Sequence, residues 1–310
     1  MTIKHLVISG GGPNILQLYG ALKYLHQKNI WSVDNIQSIH ATSAGSLVSL
    51  LFMLKIEFEN IDNYVINRPW DTLFQISAQQ LLQLITTTGI FTISALIEFL
   101  APLFKCKEYS IDITLQELYE VSNIEFYTYT SCLNSFEGVT ISYKTHPNMR
   151  VIEAVYSSIS IPCLFEPFKY EDNIYFDGGM FSNYPLNKCI ELLESNNSSN
   201  TDIDYDEILG ICNVNDKNII TDTNKLPTIE LSNIFDYFFE FIKRLMSRCN
   251  TTETQYSIKY ELQLVFVPFT LSTWNDLINS KDTRRNSMAL PIEVIDKKLE
   301  DEWKPTTDDT

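Results

Sequence analysis

Short apolar runs that stop at glycine or serine, each followed by apolar residues at helical spacing, open this chain. His5-Leu6-Val7-Ile8-Ser9 reads as a short buried strand ending at Gly10-Gly11-Gly12. Pro13 suits a first helical turn, where its missing N–H is not needed. Ile15, Leu18, Leu22 and Leu25 recur at helical spacing, which predicts a helix over Pro13 to Lys28. A second strand, about Ile36 to Thr42, meets Ser43-Ala44-Gly45 and then a helical run through Leu47, Leu50, Leu51 and Leu54. Two strand–turn–helix units in succession indicate an α/β fold with a mostly parallel sheet covered by helices.

Residues from about Glu57 to Leu118 read as helical with little strand character, as an insertion between sheet elements would. Strands return at Ile124–Cys132 and Val139–Tyr143, paired around Asn134 to Gly138. A helix is expected over Arg150–Ser158, and a brief strand at Ile174-Tyr175-Phe176 precedes Asp177-Gly178-Gly179. Ser195 to Asn200 is a low-complexity polar stretch. Ile208–Val214 and Leu262–Val267 read as two more buried strands, with a helix near Ile234–Arg248 between them. The expected organisation is a core over 1–194 with the helical insertion at about 57–118, and a polar loop over 195–207. Residues 208–310 complete the same domain and end in an acidic tail from about 293.

Charge changes the picture next. The chain carries 23 basic and 39 acidic residues, a net charge of −16. Such a field repels nucleic acid and anionic surfaces, so phosphate-tracking functions are disfavoured. Much of the excess falls in Asp202-Asp204-Asp206-Glu207 and in the segment Glu293 to Asp309, both read as solvated surface. Six cysteines (Cys106, Cys132, Cys163, Cys189, Cys212, Cys249) form no CxxC pair and no zinc-ligand spacing, so no metal is expected. With no secretory signal visible, reduced thiols and a cytoplasmic location are the expectation, peripheral contact with membranes included.

Leu81 to Phe104 is apolar enough to test as a membrane span, which needs about 20 predominantly apolar residues. Gln83, three consecutive threonines, Gly89, Ser94, Glu98 and Pro102 interrupt it. A pair of amphipathic helices fits better. Its apolar positions, among them Leu81, Leu82, Leu84, Ile85, Phe91 and Leu96, leave two readings open. They are either ordinary core, or a lid that lies in a lipid surface without crossing it.

The chemistry concentrates at three places. Ala41-Thr42-Ser43-Ala44-Gly45, between a strand and a helix, holds a serine at a sharp turn with small neighbours. An N-capping serine in a plain turn would look the same. Gly10-Gly11-Gly12 can turn several N–H groups toward one point, an anion nest or oxyanion hole. It is neither a GxGxxG fingerprint, because Ile15 stands at the last glycine position, nor a Gly-Lys-Ser/Thr loop. Asp177-Gly178-Gly179 could be a simple Asp-Gly turn. However, all four histidines (His5, His26, His40, His146) precede Asp177, so a Ser–acid–His order is impossible with this acid. If Ser43 is a nucleophile, its base is His146 or a carboxylate. Asp177 can serve if burial raises its pKa.

With these residues the chain resembles the patatin-like phospholipases over roughly Leu6 to Leu193. The glycine-rich loop falls on Gly10-Gly11-Gly12, followed by a helix containing Gly20 and Leu22. The nucleophile turn falls on Ala41 to Gly45. The small-residue block ending in proline falls on Ser157 to Pro162, with Phe165 and Pro167 after it. The Asp-Gly-Gly block falls on Asp177-Gly178-Gly179, and Asn183-Tyr184-Pro185 follows.

The resemblance implies a three-layer α/β/α sandwich and a Ser43–Asp177 dyad. It also implies an oxyanion hole from Gly10, Gly11, Gly12 and the Ala44 N–H, with Ala41, Gly45, Gly178 and Gly179 as supporting positions. No cofactor is implied, and the substrates would be lipid acyl esters, chiefly of phospholipid. Three positions depart from the family pattern: Pro13-Asn14 where a basic residue is common, Ile15 where a glycine is, and Ala41 in place of glycine. These keep open a catalytically weak scaffold that binds lipid or a partner, and an acyltransferase or thioesterase on the same dyad. The Asn- and Ile-rich composition also resembles patatin-like proteins of large DNA viruses.

Overall fold

The computed structural model describes residues 2–84, 86–196, 203–214, 234–250 and 256–303. The first strand, β1 (His5–Ile8), is buried along its whole length, as a strand covered on both faces must be. A 3₁₀ turn, Gly12–Asn14, leads into α1 (Ile15–Gln27), so the expected helix begins two residues after Pro13. β2 (Ser38–Thr42) runs into α2 (Ala44–Met53) with Ser43 alone between them.

The insertion is helical, as expected: α3 (Phe58–Asn67), α4 (Asp71–Phe74), α5 (Ala78–Gln83), α6 (Ile93–Cys106) and α7 (Leu115–Ser122). It also holds one short strand, β3 (Gly89–Phe91), which pairs in parallel with the equally short β6 (Cys163–Phe165). Neither is long enough to show a period in sequence. The remaining elements of the first part are β4 (Glu125–Cys132), β5 (Glu137–Ile141), α8 (Val151–Ile159), β7 (Phe168–Tyr170), β8 (Asn173–Asp177) and α9 (Leu186–Asn196). β9 (Ile208–Asn213) and β10 (Tyr260–Leu264) follow, with a helix Ile234–Cys249 between them.

The main sheet has the order β10-β9-β1-β2-β4-β8-β7, with β5 also pairing with β4. Its first five strands are all parallel. Helices cover both faces, and alternation along β1 shows why. Leu6 and Ile8 enter the large core with α1, α2 and α8, whereas Val7 packs with Leu186, Cys189 and Ile190 of α9 on the other face. The result is a three-layer α/β/α sandwich with one thick and one thin outer layer. β9 and β10 extend the sheet beyond β1, so the later strands belong to the same sheet as the first.

One open reading is decided here, and one expectation is corrected. Phe91 (4% exposed) and Leu96 (2%) lie in the core with Phe99, Leu100, Leu103 and Phe104, so the stretch 89–104 is packed down and is no lid. Leu82 is exposed, and Ile85 lies outside the described residues. Among the described residues no helix is long and apolar enough to cross a membrane.

The acidic tail is not simply solvated either. Helices Lys281–Ala289 and Pro291–Asp301 pack against α1, and Leu271–Asn279 packs against α4 and Lys281–Ala289, with Ile295 and Trp303 buried. Asp296 accepts a hydrogen bond from the Tyr24 hydroxyl at 2.7 Å. The composition of 293–303 is acidic because its outward face is; its inward face is apolar. Residues 304–310 of that tail, and 197–202 of the polar loop, lie outside the described residues.

Candidate active site

Sheet register places the two candidate catalytic residues. β2 and β5 lie on opposite edges of β4, since Thr128 pairs with Ala41 on one side and Ile141 on the other. β8 pairs antiparallel with β4 through Thr130, Ser131 and Cys132, opposite β5 and therefore on the same edge as β2. Thr42 lies beside Tyr129 and Asp177 beside Thr130, so β2 and β8 run toward each other and end at adjacent positions. Ser43 and Asp177 meet at that junction.

Ser43 has φ 50° and ψ −123°, a conformation that costs a non-glycine residue about 1–3 kcal/mol. The turn is held by what surrounds it. The Ser43 N–H donates to Ser158 Oγ at 2.9 Å, and Ser158 Oγ donates to the Tyr129 carbonyl at 2.6 Å. Ser46 Oγ donates to the Ala41 carbonyl at 2.9 Å and lies 2.6 Å from Thr128 Oγ1. Gly45 lets α2 press on the end of β1, because a Cβ there would stand 2.7 Å from the carbonyl oxygens of Ile8 and Ser9. Ala41 is fully buried within β2, so its methyl packs in the core.

Ser43 Oγ donates to Asp177 Oδ2 at 2.6 Å, with both residues buried. The second carboxylate oxygen, Oδ1, accepts the Gly179 N–H at 2.7 Å. Burial pushes the Asp177 carboxyl up to about 6, against the opposing pull of these two donors. Gly178 is required by contact, since a Cβ there would lie 2.0 Å from the Tyr129 carbonyl oxygen. Asn250, just past the helix Ile234–Cys249, secures this turn. Its Nδ2 donates to the carbonyls of Gly179 (2.7 Å) and Met180 (3.1 Å), and its Oδ1 accepts the Asn183 N–H at 2.9 Å.

The glycine loop divides its roles. The Gly10 N–H donates to the Asn183 carbonyl at 2.9 Å, so it is committed within the chain and does not fit the expected oxyanion role. What Gly10 provides is clearance: a Cβ there would meet Asn183 Oδ1 at 2.4 Å and Ser43 Cβ at 3.2 Å. Among the described residues, no acceptor in the chain takes the N–H of Gly11, Gly12 or Ala44. Gly12 adopts φ 50°, and with Ala44 it shares a cavity wall with Ser43. Asn14, in the Pro13-Asn14 pair where the family pattern commonly has a basic residue, ties the loop to the chain beyond β10. Its Nδ2 donates to the carbonyls of Gly11 (2.9 Å) and Val267 (3.0 Å), and its Oδ1 accepts the Val267 N–H at 2.9 Å.

The histidines stand apart from Ser43. His40 is fully buried, with Nδ1 2.8 Å from the Tyr129 hydroxyl, and burial drives its pKa down to about 3. His5 pairs with Ser38 Oγ at 2.8 Å. His26 packs against Trp31 and Phe58, and His146 lies 2.9 Å from Thr145 Oγ1 in the turn after β5.

A cavity of about 150 Å³ opens beside Ser43 between α1, α2, α8 and the C-terminal helices. Apart from Ser43, its walls are almost entirely aliphatic and aromatic. Sequence reading named Ser43, Asp177 and the glycines as candidates but missed Asn14 as a clasp, Ser46 and Thr128 beneath the turn, and Asn250. Ser158 and Asn183 sit inside the small-residue and Asn-x-Pro blocks, which offered a signal. Nothing local marks Asn250, whose partners Met180 and Gly179 lie 70 and 71 residues away.

A family model described as "Patatin-like phospholipase" matches residues 6–190, more than half of the chain. The chain is 28% identical over 205 residues to "Probable lipid hydrolase 463L" of Invertebrate iridescent virus 6, covering 64% of this chain and 67% of that protein. It is 26% identical over 237 residues to "Uncharacterized protein R571" of Acanthamoeba polyphaga mimivirus, covering 76% and 73%. Among solved structures, VipD from Legionella pneumophila aligns with TM-score 0.46 and 13% identity over 94% of this chain and 67% of that one. ExoU, in its complex with SpcU from Pseudomonas aeruginosa, aligns with TM-score 0.38 and 14% identity over 96% of this chain and 59% of that one. With a match that spans the glycine loop, the Ser43 turn and the Asp177 turn, the chain belongs to the patatin-like phospholipase family of lipid acyl hydrolases.

Proposed function

We propose that the chain hydrolyses fatty-acyl esters of phospholipids through a Ser43–Asp177 dyad. The observation that carries this reading is the 2.6 Å bond from Ser43 Oγ to Asp177 Oδ2, buried beside an apolar cavity. A carboxylate poised near 6 is ionised at neutral pH yet basic enough to take a hydroxyl proton in the transition state. Ser43 Oγ attacks the acyl carbonyl as its proton passes to Asp177. The resulting oxyanion is held by the N–H groups of Gly11, Gly12 and Ala44. Asp177 returns the proton to the departing alcohol, leaving an acyl-enzyme on Ser43. Water then gives its proton to Asp177 and attacks the acyl carbonyl, and the returned proton restores Ser43 as fatty acid leaves.

The Pro13-Asn14 and Ile15 departures are consistent with this chemistry. Asn14 fixes the loop with neutral hydrogen bonds, and Ile15 is a cavity wall. The test is to incubate the protein with mixed phospholipids and neutral lipids and to read products by mass spectrometry. Release of free fatty acid by wild type and not by Ser43→Ala is expected. Equal release by both proteins, or a fluorophosphonate label mapped to a serine other than Ser43, would remove the dyad.

A further inference from the structure

We infer that the rim of the main sheet that carries Ser43 docks on a zwitterionic phospholipid surface, with the helix Ile234–Cys249 lying in the interface. The choice of lipid as occupant rests on the hydrolase reading above. The placement of the face rests on where apolar side chains are exposed.

β10, β9, β1, β2 and β4 run parallel, so their C-terminal ends share one rim, and Ser43 stands on it at the end of β2. Large apolar side chains lie open around this rim. Leu133 and Phe136 belong to the turn after β4, and Val265 (74% exposed) and Val267 follow β10. Each segment is tied to the site. Phe136 meets Phe181, four residues past Asp177, edge-on with ring centres 5.2 Å apart. The carbonyls of Val265 and Val267 accept from Gln17 Nε2 (3.2 Å) and Asn14 Nδ2 (3.0 Å) beside the glycine loop. Gly12 and Pro13, part-exposed walls of the cavity, follow β1 on the same rim.

The helix Ile234–Cys249 joins the two sides. Phe235 and Phe239 pack on Phe269 beyond β10, and Met246 and Asn250 sit against Gly179 at the Asp177 turn. These contacts use its inward face. Ile234 (80% exposed), Tyr237 and Phe241 recur three and four residues apart on the outward face, each more than half exposed. Arg244 and Arg248 extend that face toward the Asp177 turn. An aromatic stripe ending in arginines suits a helix lying in a bilayer surface, its rings among acyl chains and its guanidinium groups at the phosphates.

Charge selects the occupant. Two copies of this chain, each at −16, repel one another, and an anionic bilayer meets the same field. A zwitterionic surface does not, and burial of the exposed apolar groups supplies the affinity. Docked this way, the chain presents Ser43 and the cavity beside it directly to the ester layer.

The test uses Ser43→Ala protein, so that no turnover disturbs the lipid, and phosphatidylcholine vesicles in a co-sedimentation assay. Tyr237→Ser, Phe241→Ser and Phe136→Ser should each weaken vesicle binding about 10-fold, the loss of one aromatic anchor. Val121→Ser and Val294→Ser remove equally exposed side chains elsewhere, Val121 just ahead of β4 at the opposite rim and Val294 in the helix Pro291–Asp301. Both should bind within about 2-fold of the parent. Melting curves check folding, and Val265→Ser, on a separate segment, replaces any rim variant that unfolds. Equal losses at rim and control positions, or binding confined to vesicles containing phosphatidylglycerol, would overturn the docking face. So would a dimer that Phe241→Ser splits, which would make the stripe a contact between copies. Vesicle binding with the expected rim pattern stands even if wild type hydrolyses no ester, and that result would count against the dyad alone. Hydrolysis of a soluble short-chain ester by wild type, with no vesicle binding, would remove the docking face and leave the dyad.

Discussion

The two turns that bring Ser43 and Asp177 together are built by opposite means. The Ser43 turn is local: its strand, its helix and the glycine that lets them pack all lie within β2–α2. Its strained backbone is stabilised by a helix starting one residue later. The Asp177 turn is assembled at a distance. It depends on β8 settling onto β4 through three residue pairs, on Gly178 touching Tyr129, and on Asn250 from beyond the sheet. A nucleophile can be specified by a short motif, whereas a base with a tuned pKa needs burial, which only tertiary structure supplies.

The most severe test removes the local half. Ser43→Ala should lower kcat at least about 10⁴-fold while leaving the melting temperature near wild type, because only a donor to a buried carboxylate is lost. Removing the distant half should cost nearly as much. Asp177→Asn keeps shape and deletes the proposed base, and kcat should fall about 10³-fold or more.

The same variant separates activity from stability. The Asp177 carboxyl is raised on folding, so its contribution to stability is full below the unfolded value near 3.8 and is lost as pH rises through about 6. Asp177→Asn should therefore be more stable than wild type at pH 7, by on the order of 2 kcal/mol. That gain should vanish below about pH 4. Urea melts across this range measure it, and a variant less stable at every pH would show that Asp177 is structural first.

Smaller effects grade the comparison further. For wild type, kcat/KM on a short-chain ester should fall about 10-fold per pH unit below about 6 and level off above it, as free Asp177 titrates. A profile flat down to pH 4 would exclude a base with that pKa. Asn250→Ala loosens the Asp177 turn without touching Ser43, so kcat should drop roughly 10-fold, while labelling of Ser43 by a fluorophosphonate slows less. His146→Ala should change kcat less than about 2-fold, since the His146 side chain bonds to Thr145 within its own turn and packs on Tyr170, apart from Ser43. Loss of activity there would restore a histidine mechanism.

This contrast also explains what could be read from the chain before its structure. β1, α1, β2, α2, β4 and the Asp177 turn carry their own signals: buried runs, helical spacing, and glycines at stops. β3, β6 and β7 are three residues each and have no period to detect. Helix Pro291–Asp301 was hidden by its acidic outer face, although Ile295 and Trp303 face inward. Gly10 was legible as a required glycine but not in its role, because the partner of its N–H, the Asn183 carbonyl, comes from a loop far along the chain. Phe91 and Leu96 show the limit of composition. An apolar stretch looks alike whether it covers lipid or fills a core, and only the aromatic neighbours Phe74, Phe165 and Trp274 decide it.

The head-on meeting of β2 and β8 along one edge of β4 bears on how the molecule assembles. Ser43 and Asp177 are separated by 134 residues, and their contact closes only after β8 docks against a strand already flanked by β2. Pairings of that sequence separation are slow to form, since chain must be ordered before the contact rewards it. The Ser43 half, in contrast, nucleates within a single strand–turn–helix unit. During refolding, helical content and burial of the first strands should therefore recover ahead of catalysis. Ester turnover would then act as a clock for the last step of sheet closure.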